Sequence, residues 1–168
     1  MADSLELSLD VFADPICPWC FIGKRNLEKA VETYEGPSVR LEVQWRTFML
    51  NPGMPPEGMD RRTYLEAKFG GTDNADAAYG RIRQAGLAAG LTLEFDKIKR
   101  TPSTRSAHRA MRHVQKTEGQ EQAEAFMEAL FQAYFTHGRD IGQVEVLLDV
   151  ATQVRVNPDV LWAMFESD

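Results

Sequence analysis

The stretch Asp14-Pro15-Ile16-Cys17-Pro18-Trp19-Cys20-Phe21-Ile22-Gly23-Lys24-Arg25-Asn26-Leu27-Glu28-Lys29-Ala30-Val31 decides how the rest of the chain is read, and it holds both of the chain's cysteines. Pro18 lacks a donor N–H and fits the first position of a helix, so Cys17 is predicted at or just before a helix N-terminus. Free amides and the positive end of the helix dipole stabilise an anion there. A thiolate is such an anion, and the Cys17 pKa is expected below the free value of ~8.5. Cys20 follows one turn later on the same face. The pair therefore reads as a nucleophile with a resolving thiol, as half of a metal site, or as two buried structural thiols. A disulfide across two intervening residues closes a small loop and stabilises little by chain entropy, so a bridge here makes sense for its reactivity.

The flanks favour the redox reading. Leu5-Glu6-Leu7-Ser8-Leu9-Asp10-Val11-Phe12 alternates apolar and polar residues, and residues 39–46 repeat the pattern with Val39, Leu41, Val43 and Trp45 on one face. Period two is strand periodicity. Between them Leu27, Ala30, Val31 and Tyr34 fall at helical spacing, and Gly36-Pro37 supplies a stop. This is a βαβ unit with two parallel strands, and C-x-x-C opening the helix of such a unit is a redox motif. Parallel strands covered on both faces usually read as continuous apolar runs, so the alternation predicts one wetter face.

Beyond the second strand, residues 51–58 are rich in Pro and Gly and form a connector. From Asp60 the chain reads as mostly helical, with 60–70 and 73–90 each ending in glycine. Residues 91–100 are a loop with a short extended piece, and Thr101 or Ser103 caps the next helix. Residues 121–138 carry a wide apolar stripe from Phe126 to Phe135, read as core together with Trp45, Trp162 and Phe165. Two further helices follow, the last with Asn157 as cap and Pro158 at its first position. The Gly80–Gly86 stretch lacks the Lys-Ser/Thr ending and preceding strand of a phosphate loop.

The 168 residues carry a formal charge of −6, which argues against nucleic acid or an anionic membrane as main partner. No run approaches the ~18 apolar residues of a membrane span. The opening residues lack the basic start and solid apolar run of a secretory signal, so the expected location is cytoplasmic. A zinc site needs four ligands, yet the histidines are His108, His113 and His137, and the gap from Cys20 to His108 far exceeds finger spacing. No metal is expected. Lys24 and Arg25 read as a solvated helix face. Trp19 either shapes a substrate surface or packs. Asp14, three residues before Cys17, reads as a strand-end turn residue, with a place on the proton path of Cys20 as the alternative. His108 is a weak site candidate on a helix.

Several segments together resemble the FrnE-like branch of the DsbA family of disulfide oxidoreductases: the stretch from Asp14 to Glu28, Trp45 to Gly58, Thr101 to Arg112, and Leu130 to Ala151. The resemblance implies an α/β fold, a thioredoxin-like βαβ unit with a large inserted helical domain. The implied divisions are 1–52 for the βαβ half, 53–140 for the helical insertion and 141–168 for helices returning to the first part. It implies Cys17 as attacking thiol and Cys20 as resolving thiol; Pro18, Trp19 and, weakly, His108 are the substrate-side candidates read from the residues themselves. The implied activity is dithiol–disulfide exchange with protein or small-molecule thiols, glutathione among them, without cofactor. Two departures matter. Ser103 stands where the family usually has Asn, and the Val-Pro loop with cis proline, the β-hairpin and the final helix have no counterpart. The sheet is thus expected to be incomplete at its C-terminal end, with the chain either a truncated product or one that completes its sheet by pairing the open edge of its first strand with a second copy. Two other functions stay in view: a glutathione-using transferase or isomerase of the kappa-class and hydroxychromene-carboxylate type, whose members typically carry serine in place of the nucleophilic cysteine, and a chaperone-like binding module.

Overall fold

The structure, a computed structural model, describes residues 5–167. Strand β1 (Leu5–Ala13) leads into α1 (Pro18–Glu32) and then β2 (Val39–Thr47). The two strands pair in parallel over their whole length, from Leu5 opposite Val39 to Ala13 opposite Thr47, without a bulge. Period-two alternation fixes this register, because a one-residue slip would exchange the faces of every side chain. Leu5 and Leu7 of β1 and Val39 and Leu41 of β2, all odd-numbered, face the end of α1. The even-numbered Glu6, Ser8 and Asp10 and their partners Arg40, Glu42 and Gln44 form the wetter face that the alternation predicts. There Arg46 binds Asp10 at 2.8 Å, and Arg40 lies 3.8 Å from Glu6.

The remainder is mostly helical. A two-residue strand β3 (Met59–Asp60) pairs antiparallel with β4 (Arg100–Thr101), and between them lie α2 (Arg61–Phe69), α3 (Thr72–Ala88) and a 3-10 turn (Phe95–Lys97). Asp60 caps α2 by accepting from the Thr63 N–H at 3.0 Å, and Gly70 ends it in the left-handed conformation at φ 72°. Then come α4 (Arg105–Thr117), α5 (Gln120–Phe131) running on through a π turn (Gln132–Thr136), α6 (Val144–Gln153) and α7 (Pro158–Glu166). Asn157 caps α7 as expected, accepting from the Asp159 N–H at 2.9 Å.

One core joins the βαβ unit to the helices. Phe21 in the first turn of α1 stacks on Phe131 at 4.9 Å and an interplanar angle of 11°, and on Phe135 at 6.2 Å. The whole stripe from Phe126 to Phe135 that was read as core is interior, and Trp45 joins it.

Several details differ from the sequence reading. The N-cap of α4 is Thr104, while Thr101 lies in β4 and both Thr101 and Ser103 are buried just before the helix. Trp162 is 45% exposed and Phe165 only half-buried. Helix α7 seats Leu161 in the core, and the ~100° advance per residue turns Trp162 off that face. On α1, the buried side chains are Phe21, Ile22 and Lys24, whereas Val31 in the last turn and Tyr34, just past the helix end at Glu32, are more than half exposed. These later apolar residues, with Ala30, line an open groove against Leu5, Leu7, Val39 and Leu41.

Candidate active site at the start of helix α1

Cys17 is the N-cap of α1, in extended conformation, with Pro18 at the first helical position. Its own N–H donates to the Asp14 carbonyl at 2.9 Å, which closes the turn out of β1. Its carbonyl accepts from the Cys20 and Phe21 N–H groups at 3.1 and 3.3 Å. The turn thereby presents the Cys17 sulfur to the free amides of the helix start. The hydrogen bond donated by the Cys20 thiol is the largest influence on Cys17 and lowers its pKa to about 7. The backbone N–H groups of Cys20 and Trp19 act the same way, against the opposing effects of burial and of Asp14. Cys20 moves the other way: sharing its proton with Cys17 and being buried both push its pKa up, well out of the range where a thiol ionises. The pair thus divides into one thiol ready to be an anion and one that keeps its proton. Both are unbridged.

Asp14 lies behind this turn with no exposure. Its Oδ2 accepts from the Leu50 N–H at 2.7 Å, tying the end of β1 to the chain leaving β2. It serves as the strand-end residue of the sequence reading, and its charge also bears on both thiols. His108 is 5% exposed, with Nε2 3.4 Å from Asp14 Oδ1. It lines a separate cavity with Trp45, Met111 and Gln115, so the structure brings Cys17, Pro18 and Trp19 together in one cleft and leaves His108 outside it.

Lys24 and Arg25 do not form a solvated face. Lys24 is 6% exposed and pairs with Glu28, with Glu124 at 3.5 Å and with Glu128 at 3.2 Å; Arg25 binds Glu28 and Glu128, each at 2.5 Å. Two of the three glutamates lie about a hundred residues further along, on α5, where a reading of one helix does not see them. Their charge is neutralised locally, so these cations are spent on joining α1 to α5.

A cleft of about 320 Å³ opens over Cys17. Ile16, Pro18, Trp19 and Leu50 form one wall; Arg61, Tyr64, Lys68 and Phe69 of α2 and Tyr79, Arg81 and Ile82 of α3 form the other. Trp19, 53% exposed, shapes this surface and is not packed in the core. The α2 and α3 residues are absent from the sequence reading. The available signal was the spacing of Arg61, Tyr64 and Lys68 at i, i+3 and i+7, one face of a helix. Among the described residues no group of three or more His, Cys, Asp or Glu side chains gathers to hold a metal ion, and no helix is long and apolar enough to cross a membrane.

Comparison with known proteins agrees with this geometry. Residues 8–168 match the family described as DSBA-like thioredoxin domain. The chain is 23% identical over 151 residues to the protein YwbO of Bacillus subtilis, covering 89% of this chain and 67% of that one. A probable DsbA oxidoreductase from Streptomyces coelicolor superposes with a TM-score of 0.82 at 27% identity, covering 95% of this chain and 68% of that one. The cytosolic disulfide reductase DsbM of Pseudomonas aeruginosa shares the fold, with a TM-score of 0.64 at 20% identity over 94% of this chain and 70% of its own.

Proposed function

The chain belongs to the DSBA-like thioredoxin domain family, and on that premise we propose that it is a thiol–disulfide oxidoreductase with Cys17 as nucleophile and Cys20 as resolving thiol. The observation that carries the reading is the split pair at the helix start: Cys17 held near pKa 7 by the donors of Cys20 and Trp19, and Cys20 kept protonated by Cys17 and burial. In the reductive direction the Cys17 thiolate attacks one sulfur of a substrate disulfide. That S–S bond breaks, and the departing sulfur leaves as a thiolate that takes a proton from water. The Cys20 sulfur then attacks Cys17, the bond between Cys17 and the second substrate sulfur breaks, and that sulfur leaves as a thiolate that takes up the proton given up by Cys20. The substrate gains two electrons and the cysteine pair loses two; the reverse sequence oxidises a substrate dithiol. Stabilising the Cys17 thiolate stabilises the reduced protein and so makes its disulfide the stronger oxidant.

Within the family, the run from Asp14 to Glu28 with its Cys-Pro-Trp-Cys centre supports placement in the FrnE-like branch. The chemistry needs no cofactor or metal, and its partners are protein or small-molecule thiols. The cytoplasm is the proposed compartment, in keeping with the structural neighbour DsbM, a cytosolic disulfide reductase. The test is a graded glutathione redox buffer followed by alkylation and mass measurement, on the wild type and on Cys17→Ala. The wild type is expected to pass from two alkylated thiols to none in a single two-electron transition, while Cys17→Ala keeps an alkylatable Cys20 or carries it as a glutathione adduct. A wild-type pair that never closes a disulfide overturns the proposal.

A further inference from the structure

Arg61 is 8% exposed on the wall of the Cys17 cleft. Its guanidinium donates to Thr101 Oγ1 at 3.1 Å, to the Tyr134 hydroxyl at 3.3 Å and to the Tyr79 hydroxyl at 2.6 Å, and it lies 5.2 Å from the Tyr79 ring centre. None of these partners carries charge. Burial pushes the Tyr79 and Tyr134 phenols up, so both are neutral hydroxyls at neutral pH. Among the described residues no carboxylate stands within ion-pair distance of Arg61. Buried cations are normally paired, because an uncompensated charge away from water is costly. Here hydroxyls and aromatic faces solvate the charge without cancelling it.

The neighbouring cations repeat the arrangement. Lys68 reaches the Tyr64 hydroxyl at 3.0 Å and sits over the Tyr64 and Phe69 rings at 5.3 and 5.9 Å. Arg81 adds a third cation from α3, and no Asp or Glu lines the cleft. This occurs in a chain whose formal charge is −6. Fold requirements do not explain the lack of acids, since around Lys24 the same chain places Glu28, Glu124 and Glu128. Cations left uncancelled beside a reacting thiol, between apolar walls, suit a ligand that brings both an anion and an apolar stem.

We propose that the Cys17 cleft seats a carboxylate-bearing, low-molecular-weight disulfide or thiol, its carboxylate held at Arg61 with Lys68 and Arg81 at the rim and its sulfur delivered to Cys17. The inference rests on the reading of Cys17 as attacking thiol. A cleft of about 320 Å³ is at the small-molecule end of ligand sites, which favours a small ligand over a folded protein segment. Opposite charge in a low-dielectric cleft raises the encounter rate by ~10-fold or more, and salt removes the gain.

The test uses the fully reduced chain and three probes: oxidised glutathione, which is anionic; 2-hydroxyethyl disulfide, which is neutral; and cystamine, which is cationic. The rate of thiol loss with each is divided by the rate of dithiothreitol with the same probe, so that intrinsic reactivity cancels. Oxidised glutathione is expected to exceed the neutral probe by about tenfold and cystamine to fall below it, with the spread collapsing in high salt. Lys68→Gln with Arg81→Gln, both at exposed positions, lowers the glutathione-to-neutral ratio several-fold while circular dichroism confirms folding. A flat charge series, or a ratio unmoved in that variant, overturns the inference while leaving the redox chemistry standing. An acidic peptide disulfide much preferred over oxidised glutathione overturns the small-molecule assignment. Failure of all three probes to oxidise Cys17 is the failure of the functional reading itself.

Discussion

Cys17 and Cys20 have the same side chain and pKa shifts of opposite sign, and the difference is made largely by a few hydrogen bonds. The N-cap position gives Cys17 the donors; one turn later, Cys20 is itself the donor. With Cys17 at about 7, its alkylation by iodoacetamide is expected to rise about tenfold per pH step below that point and level off above it, since only the thiolate reacts. In Cys20→Ala the largest donor is gone, and the midpoint moves up toward the free-thiol value of ~8.5. A midpoint that stays near 7 assigns the effect to the backbone amides alone. Cys17 was legible in the sequence because Pro18 announces the helix start without help from distant residues. Arg61 was not, because its meaning lies in the carboxylate it lacks, and a missing partner is a tertiary fact.

Helix α1 has two halves that meet different surroundings. Its first turns enter the core through Phe21 and through the Lys24 and Arg25 pairs to α5; its last turns border the open groove beside the sheet. Burial alone acts to lower the Lys24 pKa, and Glu28 and Glu128 reverse the direction, so the ammonium stays charged. Replacing Lys24 by Met leaves Glu124 and Glu128 facing each other without it and is expected to cost about 1–3 kcal/mol in urea unfolding, below the ~3–5 of a fully buried broken pair because the glutamates are partly exposed. Phe131→Ala opens a cavity under Phe21 and is expected to cost ~3–5 kcal/mol. The two variants differ in a second readout. Lys24→Met leaves the Cys17 alkylation midpoint in place, since its charge is already balanced, and a midpoint raised by the substitution would show that Lys24 acts on the thiolate after all. The helical stripe in the sequence marked α1 correctly as a helix. It could not tell which apolar turns would be covered, because coverage depends on α5 and on the width of the sheet.

In the whole molecule the sheet is the least enclosed part. Strand β1 pairs with β2 on one side, and among the described residues its other edge has no partner. Leu5, Leu7 and Leu9 are 56%, 45% and 37% exposed, so one face beside the open edge is also apolar. The period-two pattern made both strands and the wetter face legible, since that periodicity is local. Exposure of the apolar face as well was hidden, because alternation shows which residues share a face and not what stands opposite. Unpaired strand edges template pairing with other chains, and contiguous exposed apolar surface adds to the drive. The chain is therefore expected to self-associate through β1, seen as a mean mass that climbs with concentration in size-exclusion chromatography with light scattering. Leu7→Lys places a charge in the groove beside that edge and is expected to return the chain toward the monomer mass, whereas Cys17→Ser, at the far end of the strand, leaves the association unchanged. A wild type that stays monomeric across the concentration range rules out association through β1. Association abolished by Cys17→Ser instead assigns the contact to an intermolecular disulfide.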